Sequence, residues 1–107
     1  MRNKYDIKYL PSFDEEFNDI LHYIKHKLKN KKAANVLIES VNTAILNRSI
    51  NPECFEVYKS IKSRKYKWYR IYVGNYTIFY TVTNNIIKIS HIFYNKRDIE
   101  NLISKKL

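Results

Sequence analysis

Residues 68–98 read WYRIYVGNYTIFYTVTNNIIKISHIFYNKRD, and this stretch decides the fold. It contains three runs rich in aromatic and β-branched residues, which favour strands. Gly74 is the only glycine in the chain, and it begins the first turn between the runs, where glycine adopts the positive φ of a type II′ hairpin without strain. Asn84 and Asn85 form the second turn, since asparagine tolerates the left-handed region. The stretch therefore predicts an antiparallel meander.

The half of the chain before the meander predicts a strand and two helices. Residues 5–10 alternate between apolar and polar side chains, as a strand does. Ser12 and Glu15 have the spacing of a capping box, which predicts the start of the first helix. A basic break at residues 29–32 separates it from a second helix that ends before Asn51 and Pro52. The two apolar stripes are Phe13, Phe17, Ile20, Leu21, Ile24 and Leu28, and then Ala34, Leu37, Ile38, Val41, Ala44 and Ile45.

These elements predict one α+β domain over residues 1–107, a length that suits a single core. Residues 55–58 read as a possible short strand, residues 60–67 as a polar basic loop, and residues 99–103 as part of a final helix. The order is β-α-α-(β)-β-β-β-α. An antiparallel helical hairpin packed on a mainly antiparallel, twisted sheet gives two layers. The second face of the sheet is then expected to be free.

The charge of the chain indicates an anionic partner. Lys and Arg number 20 against 10 Asp and Glu, a net charge of +10, which favours nucleic acid, an anionic membrane surface or an acidic protein. Residues 57–97 contain no Asp or Glu, and aromatic side chains are interleaved there, which suits single-stranded RNA. The alternative is that the aromatics fill the core and the lysines form a solvated rim. The predicted nucleic-acid-binding residues are Lys59, Lys62, Arg64, Lys65, Lys67 and Arg70.

Other chemistry has little support in the sequence. His22 and His26 are spaced to face together on a helix, but no third metal ligand is evident, so we expect surface histidines, no metal site and no cofactor. The single Cys54 excludes an internal disulfide and fits a reducing cytosol. The N-terminus lacks the apolar core of a signal peptide, and no run is long enough to span a membrane. We therefore expect a cytoplasmic protein without membrane or small-molecule partners.

Four segments resemble toxins of the RelE/ParE superfamily of bacterial type II toxin–antitoxin systems. They are DIKYLPSFDEEFNDILHYI, AANVLIESVNTAILNRSINP, YRIYVGNYTIFYTV and ISHIFYNKRDIENLI, and the resemblance covers nearly the whole chain. It implies a toxin that inhibits bacterial growth. RelE-like members cleave mRNA in the ribosome, whereas ParE-like members inhibit DNA gyrase. The resemblance also implies a cognate acidic antitoxin that wraps the toxin, which the charge of +10 would attract.

The resemblance also implies site residues. Arg70 and Arg97 match basic active-site residues of the RelE-like branch, and with Lys96 they form the predicted catalytic patch. Thr77 stands where ribonuclease members usually have an arginine, and Asn95 and Lys96 stand where some members have a His-Tyr acid–base pair. Ile103 falls near the tyrosine of another branch.

This incomplete set favours a ParE-like gyrase inhibitor. The alternative is a RelE-like ribosome-dependent endoribonuclease, and a third reading is a non-toxic RNA-binding module. Arg97 has an alternative role as a structural ion-pair partner of Asp98 or Glu100.

Overall fold

The computed structural model describes residues 5–58, 67–95 and 105. Two helices pack on one face of a four-stranded mixed sheet, which confirms the predicted two-layer α+β fold. The strand order is β1-β4-β3-β2, with β1 parallel to β4 and the other pairs antiparallel. The elements, in chain order, are β1 (Asp6–Tyr9), α1 (Pro11–His22), a π-helical turn (Tyr23–Lys27), α2 (Lys31–Ser49), β2 (Tyr69–Val73), β3 (Tyr76–Thr83) and β4 (Ile86–Tyr94).

The two hairpin turns have the predicted backbone conformations. Gly74 has a φ of 56°, while Asn75 after it stays at negative φ, as in a type II′ turn. Asn84 and Asn85 both have positive φ, 51° and 62°, as in a type I′ turn. These turns join β2, β3 and β4 into the predicted meander.

A β-bulge in β4 divides the side chains of this strand between the two faces. Phe79 pairs with His91, whereas the next residue, Tyr80, pairs with Ile89, so Ser90 is the extra residue. Without the bulge, Ile89 and His91 would lie on one face, because side chains alternate along a strand. The extra residue instead sends Ile89 to the helix-facing core and His91 to the opposite face, which is the face that matters for the candidate site.

The helix α1 begins differently from the sequence prediction. Its N-cap is Leu10, with Pro11 in the first turn, and no side chain caps it. The predicted capping box of Ser12 and Glu15 is therefore wrong. Pro11 replaces it, because its missing N–H is one that a helix start leaves unpaired in any case.

Ser12 and Glu16 instead bind the edge of β4 beyond the end of β1. The Ser12 hydroxyl donates to the Ser90 carbonyl at 2.6 Å, and the Ile92 amide donates to the Glu16 carboxylate at 3.0 Å. Pairing between β1 and β4 stops at Tyr9 and Ile89. Beyond that point, Ser12 and Glu16 of α1 make the contacts to the edge of β4. They satisfy backbone groups that a bare edge strand would leave unpaired.

The main core lies between the helices and the sheet. Phe13 of α1 and Val41 and Ile45 of α2 are buried against side chains of all four strands, with Phe17, Ile20 and Leu37 packed at the margin. Two members of the predicted first stripe differ. Leu21 is only half-buried and lies outside this cluster, and Leu28 is 57% exposed because the π-helical turn ends the regular stripe at Ile24.

The segment after α2 contains no strand in the region that the structure describes. Phe55 and Glu56 are exposed, and Tyr58 makes only an isolated bridge with Trp68, so the expected short strand over residues 55–58 is wrong. Of the predicted loop over residues 60–67 only Lys67 is described, and it is exposed; the predicted final helix over residues 99–103 lies outside the described residues. Neither α1 nor α2 is long and apolar enough to cross a membrane, and the same holds throughout the described parts of the chain.

Candidate functional site

The face of the sheet opposite the helices, here called the outer face, carries the candidate site. Paired positions on neighbouring strands share a face, so the register of the sheet assembles it. The side chains that form the candidate site on this face are Arg70 and Tyr72 from β2, Thr77 and Phe79 from β3, and His91 and Phe93 from β4.

The outer face carries a small apolar cluster of its own, so the expectation that this face is free is wrong. Phe79 and Phe93 are 1% and 3% exposed, with Tyr58 and Trp68 packed against them. The Tyr58 ring meets Phe79 edge-on, with 5.4 Å between the ring centroids. The aromatic residues of this face therefore pack as a small second core, which confirms the alternative interpretation for these two phenylalanines.

Arg70 lies beside this cluster between two tyrosines. Its guanidinium carbon is 4.8 Å from the centroid of the Tyr58 ring and 5.4 Å from that of Tyr72. Cations within about 6 Å of a ring centroid are attracted by the ring's quadrupole. Tyr72 is 62% exposed, so the group reaches the surface. The two rings hold the guanidinium in place, and a held guanidinium suits a phosphate or a carboxylate of a partner.

Arg48 supports the strand that presents Arg70. From α2, its guanidinium donates to the Arg70 carbonyl at 3.1 Å and to the Tyr80 hydroxyl at 3.0 Å. The Tyr80 hydroxyl donates in turn to the Pro52 carbonyl at 2.7 Å. Burial raises the pKa of the Tyr80 phenol, and the hydrogen bond from Arg48 partly opposes this rise. The outer edge of β2 is thus tied to α2 and to the loop after it.

Thr77 makes the centre of the outer face uncharged. It is 4% exposed, and its hydroxyl donates to the Asn95 side-chain oxygen at 2.5 Å. Asn95 is one of the two residues that stand where some ribonuclease members have an acid–base pair, and its amide oxygen is occupied by this bond. The threonine at this position, where ribonuclease members usually have an arginine, is therefore buried and hydrogen-bonded within the sheet.

The pairing of His91 with Glu16 was not predicted from the sequence. The Glu16 carboxylate accepts a hydrogen bond from Nδ1 of His91 at 3.1 Å, and both side chains are largely buried. The His91 ring stacks on Phe93, with 5.4 Å between centroids, and lies near Trp68. No local sequence pattern predicts this pair, because the two residues are far apart in sequence. The bulge in β4 also determines which face of the sheet His91 occupies.

The structure places two of the predicted basic residues. Arg70 is on the outer face, and Lys67 is exposed just before β2. Lys59, Lys62, Arg64 and Lys65 lie outside the described residues, as do Lys96, Arg97, Asp98, Glu100 and Ile103. Their assignment to the site stays a prediction.

A cleft beside α1 and a pair of histidines are two further features, and neither is a basic surface. A cleft of about 720 Å³ lies between α1 and the ends of β3 and β4, lined by Ile24, Tyr76 and Tyr94 and by the carboxylates of Glu16 and Asp19. Those carboxylates disfavour an anionic occupant. His22 and His26 are exposed, with 4.2 Å between their ring centroids, but residues 5–58, 67–95 and 105 hold no group of three or more potential metal ligands.

The comparisons with known proteins agree with this fold. A family model described as "ParE toxin of type II toxin-antitoxin system, parDE" matches residues 7–99. Among solved structures, the chain is similar to the archaeal RelE-RelB complex from Pyrococcus horikoshii OT3, with 19% identity and a TM-score of 0.54 over 88% of this chain and 98% of that one. At this identity the likeness shows the fold alone. No curated protein matched the chain.

Proposed function

The chain belongs to the ParE toxin family of type II toxin–antitoxin systems, and from that premise we propose that it arrests bacterial growth by inhibiting DNA gyrase. Both this target and the ribosomal alternative are cytoplasmic, so the proposal places the chain in the cytoplasm. The observation that carries the choice of target is the buried, uncharged Thr77 at the centre of the outer face.

Cleavage of RNA requires more than the described outer face provides. Attack by a 2′-hydroxyl needs a group that removes its proton and another that protonates the leaving oxygen. It also needs cations fixed where charge develops on the phosphate. At the centre of the outer face, where ribonuclease members usually carry an arginine, Thr77 supplies a hydroxyl that already donates to Asn95. This composition favours binding of a target over cleavage of RNA.

Arg70 then serves as a fixed cation for an acidic surface of the target. The rings of Tyr58 and Tyr72 restrict its motion, which lowers the entropy lost when a partner carboxylate binds it. We propose that Lys96 and Arg97, which lie outside the described residues, extend the same basic patch, together with Lys67 and the basic residues between 59 and 65. Replacement of Arg70 should therefore weaken inhibition without unfolding the protein.

A pair of parallel assays tests the target. The purified chain is added to a gyrase supercoiling reaction, and separately to translating ribosomes whose mRNA is mapped by primer extension. We expect loss of supercoiling and no discrete cuts. Arg70→Ala and Arg97→Ala should each inhibit less. Lys8→Ala removes an exposed cation from β1, at the opposite edge of the sheet from Arg70, and should match the wild type. Circular dichroism confirms that each variant is folded. If both arginine variants inhibit as well as the wild type, the site assignment is wrong.

Two structural observations favour the RelE-like alternative. His91, held by Glu16, is an acid–base group on the same face as Arg70, and Tyr72 offers an exposed ring for a base to stack on. Against it, His91 is 8% exposed, which leaves little room for a substrate hydroxyl. Discrete cuts in ribosome-bound mRNA with gyrase left active would establish this alternative. A chain that binds RNA but leaves growth unchanged would instead be a simple RNA-binding module.

The family also leads us to propose a cognate antitoxin as the partner. We propose that an acidic segment of it covers the basic part of the outer face around Arg70 and extends to Lys67, which is exposed just before β2. Exposed charges are screened over about 8–10 Å near physiological ionic strength, so binding should weaken as salt rises. Calorimetry with the neighbouring gene product tests this. Binding that is absent, or that is the same at low and high salt, would count against the proposal.

A further inference from the structure

A second basic surface lies where α1 meets α2, on the helices and not on β2, which carries Arg70. The π-helical turn, the residues after it and the start of α2 together carry five lysines within eight residues, here called the lysine tip. Its members are Lys25, Lys27, Lys29, Lys31 and Lys32. All five are exposed, residues 20–38 contain no Asp or Glu, and in the described part of the chain none of these lysines takes part in an ion pair.

The backbone of the lysine tip is fixed by hydrogen bonds. The amide of Leu28 donates to the Tyr23 carbonyl at 3.1 Å, closing the π-helical turn, and the amide of Asn30 donates to the Ile24 carbonyl at 3.0 Å. The Asn30 side chain then caps α2 by accepting from the Ala33 amide at 3.0 Å. π-helical turns are rare and occur frequently at functional sites. The lysines are therefore presented on a defined backbone.

Two features of the lysine tip oppose stability. Lys29 has a φ of 52°, at a helix end where glycine or asparagine normally occupies the left-handed region. Lys31 and Lys32 stand in the first turn of α2, which has no acidic residue, although the positive end of the helix dipole disfavours cations there. Residues that oppose local stability cluster at functional sites. The cations at these positions thus point to a binding function.

The side-chain chemistry identifies the partner. Arginine matches carboxylates and phosphates alike with two parallel hydrogen bonds, whereas lysine acts as a mobile point charge that contacts phosphates without a fixed orientation. The lysine tip has lysines only. A duplex offers closely spaced phosphates along both strands, which several mobile ammonium groups can contact together. We propose that the lysine tip binds the phosphate backbone of double-stranded DNA, as a contact separate from the proposed gyrase-directed site.

The test is the binding of a labelled 20-base-pair DNA duplex of mixed sequence to the purified chain, followed by fluorescence anisotropy over a series of salt concentrations. Lys29→Asn with Lys31→Gln removes two charges, and asparagine suits the backbone at position 29. Each lost phosphate contact lowers the slope of log K against log salt by about 0.9. The double variant should therefore lose about two units of slope and bind roughly tenfold or more weakly near physiological salt.

A matched variant separates the lysine tip from the overall charge. Lys8→Gln with Lys88→Gln removes the same number of charges from paired positions on β1 and β4, and it should bind DNA nearly as well as the wild type. Lys25→Gln with Lys27→Gln, on the other side of the tip, should repeat the loss.

Three results would overturn the proposal. They are equal losses for the tip and sheet variants, tighter binding of an RNA duplex of the same length, and tighter binding of a polyglutamate peptide of equal charge. The assay contains no gyrase and measures no growth, so DNA binding and the proposed function can fail independently.

Discussion

Replacement of Glu16 tests how α1 is attached to the sheet. In the wild type, the Glu16 carboxylate accepts from the Ile92 amide at 3.0 Å and from Nδ1 of His91 at 3.1 Å. Glu16→Ala leaves both donors without this acceptor in a region where the His91 side chain is only 10% exposed. An unsatisfied buried donor costs about 1–3 kcal/mol, and a hydrogen bond to a charged group contributes about 1.5–3 kcal/mol. We expect the free energy of unfolding to fall by about 2–4 kcal/mol.

The measurement is urea unfolding followed by circular dichroism, with Glu15→Ala as the matched control. Glu15 is exposed and one residue away, so its replacement should change the free energy of unfolding by less than about 0.5 kcal/mol. Glu16→Gln keeps a carbonyl acceptor for the Ile92 amide and should lose less than Glu16→Ala. The capping box predicted from the sequence requires the opposite order. If Glu15→Ala proves more destabilising than Glu16→Ala, the edge contact described here is not what holds α1.

Three further changes test the turn, the core and the buried phenol. Gly74→Ala should lower the free energy of unfolding by about 1 kcal/mol because Gly74 has a φ of 56°, although nothing lies within 4 Å of an added Cβ. Gly74→Asn should lower it less, and equal melting temperatures of the two variants would refute this. Ile45→Ala should lose about 2–5 kcal/mol in urea unfolding, whereas Leu46→Ala, at the exposed next position, should be near neutral. Burial raises the pKa of the Tyr80 phenol in the folded protein. The contribution of the phenol to stability is therefore complete below about pH 10, the pKa of an unfolded tyrosine, and is lost as pH rises through the folded pKa. The assignment is contradicted if the unfolding free energy of the wild type, relative to that of Tyr80→Phe, does not fall above about pH 10.

The elements of the fold followed from local signals, and the exceptions have identifiable causes. The turn residues Gly74 and Asn84–Asn85 located β2, β3 and β4, because few residues other than glycine and asparagine accept positive φ. The start of α1 was misread because Ser12 and Glu15 satisfy the capping-box pattern, while tertiary contacts direct the Ser12 hydroxyl to Ser90. A local pattern cannot reveal that a distant strand edge competes for the same hydroxyl.

The candidate site was less predictable than the fold. Alternation from the start of β4 would have placed His91 with Ile87 and Ile89, and the bulge at Ser90 reverses this. The contacts between Arg70 and the ring of Tyr58 depend on the path of the chain after α2, which no periodicity encodes. The departure at Thr77 was visible from the family resemblance, but only the structure shows that the hydroxyl is buried and bonded to Asn95.

The two basic surfaces differ in how their cations are held, and this difference suggests separate roles. Arg70 is restrained by two aromatic rings and by a strand that Arg48 ties to α2, so it suits a partner group at a defined position. The lysine tip carries mobile ammonium groups, which attract a polyanion over roughly a Debye length without fixing its orientation. Loss of charge at the tip should therefore slow association with a DNA duplex and alter its salt dependence, whereas loss of Arg70 should speed dissociation from gyrase. Stopped-flow rates measured with the duplex alone and with gyrase alone distinguish the two roles. A tip variant that changes the rates with gyrase as much as loss of Arg70 does would refute this division.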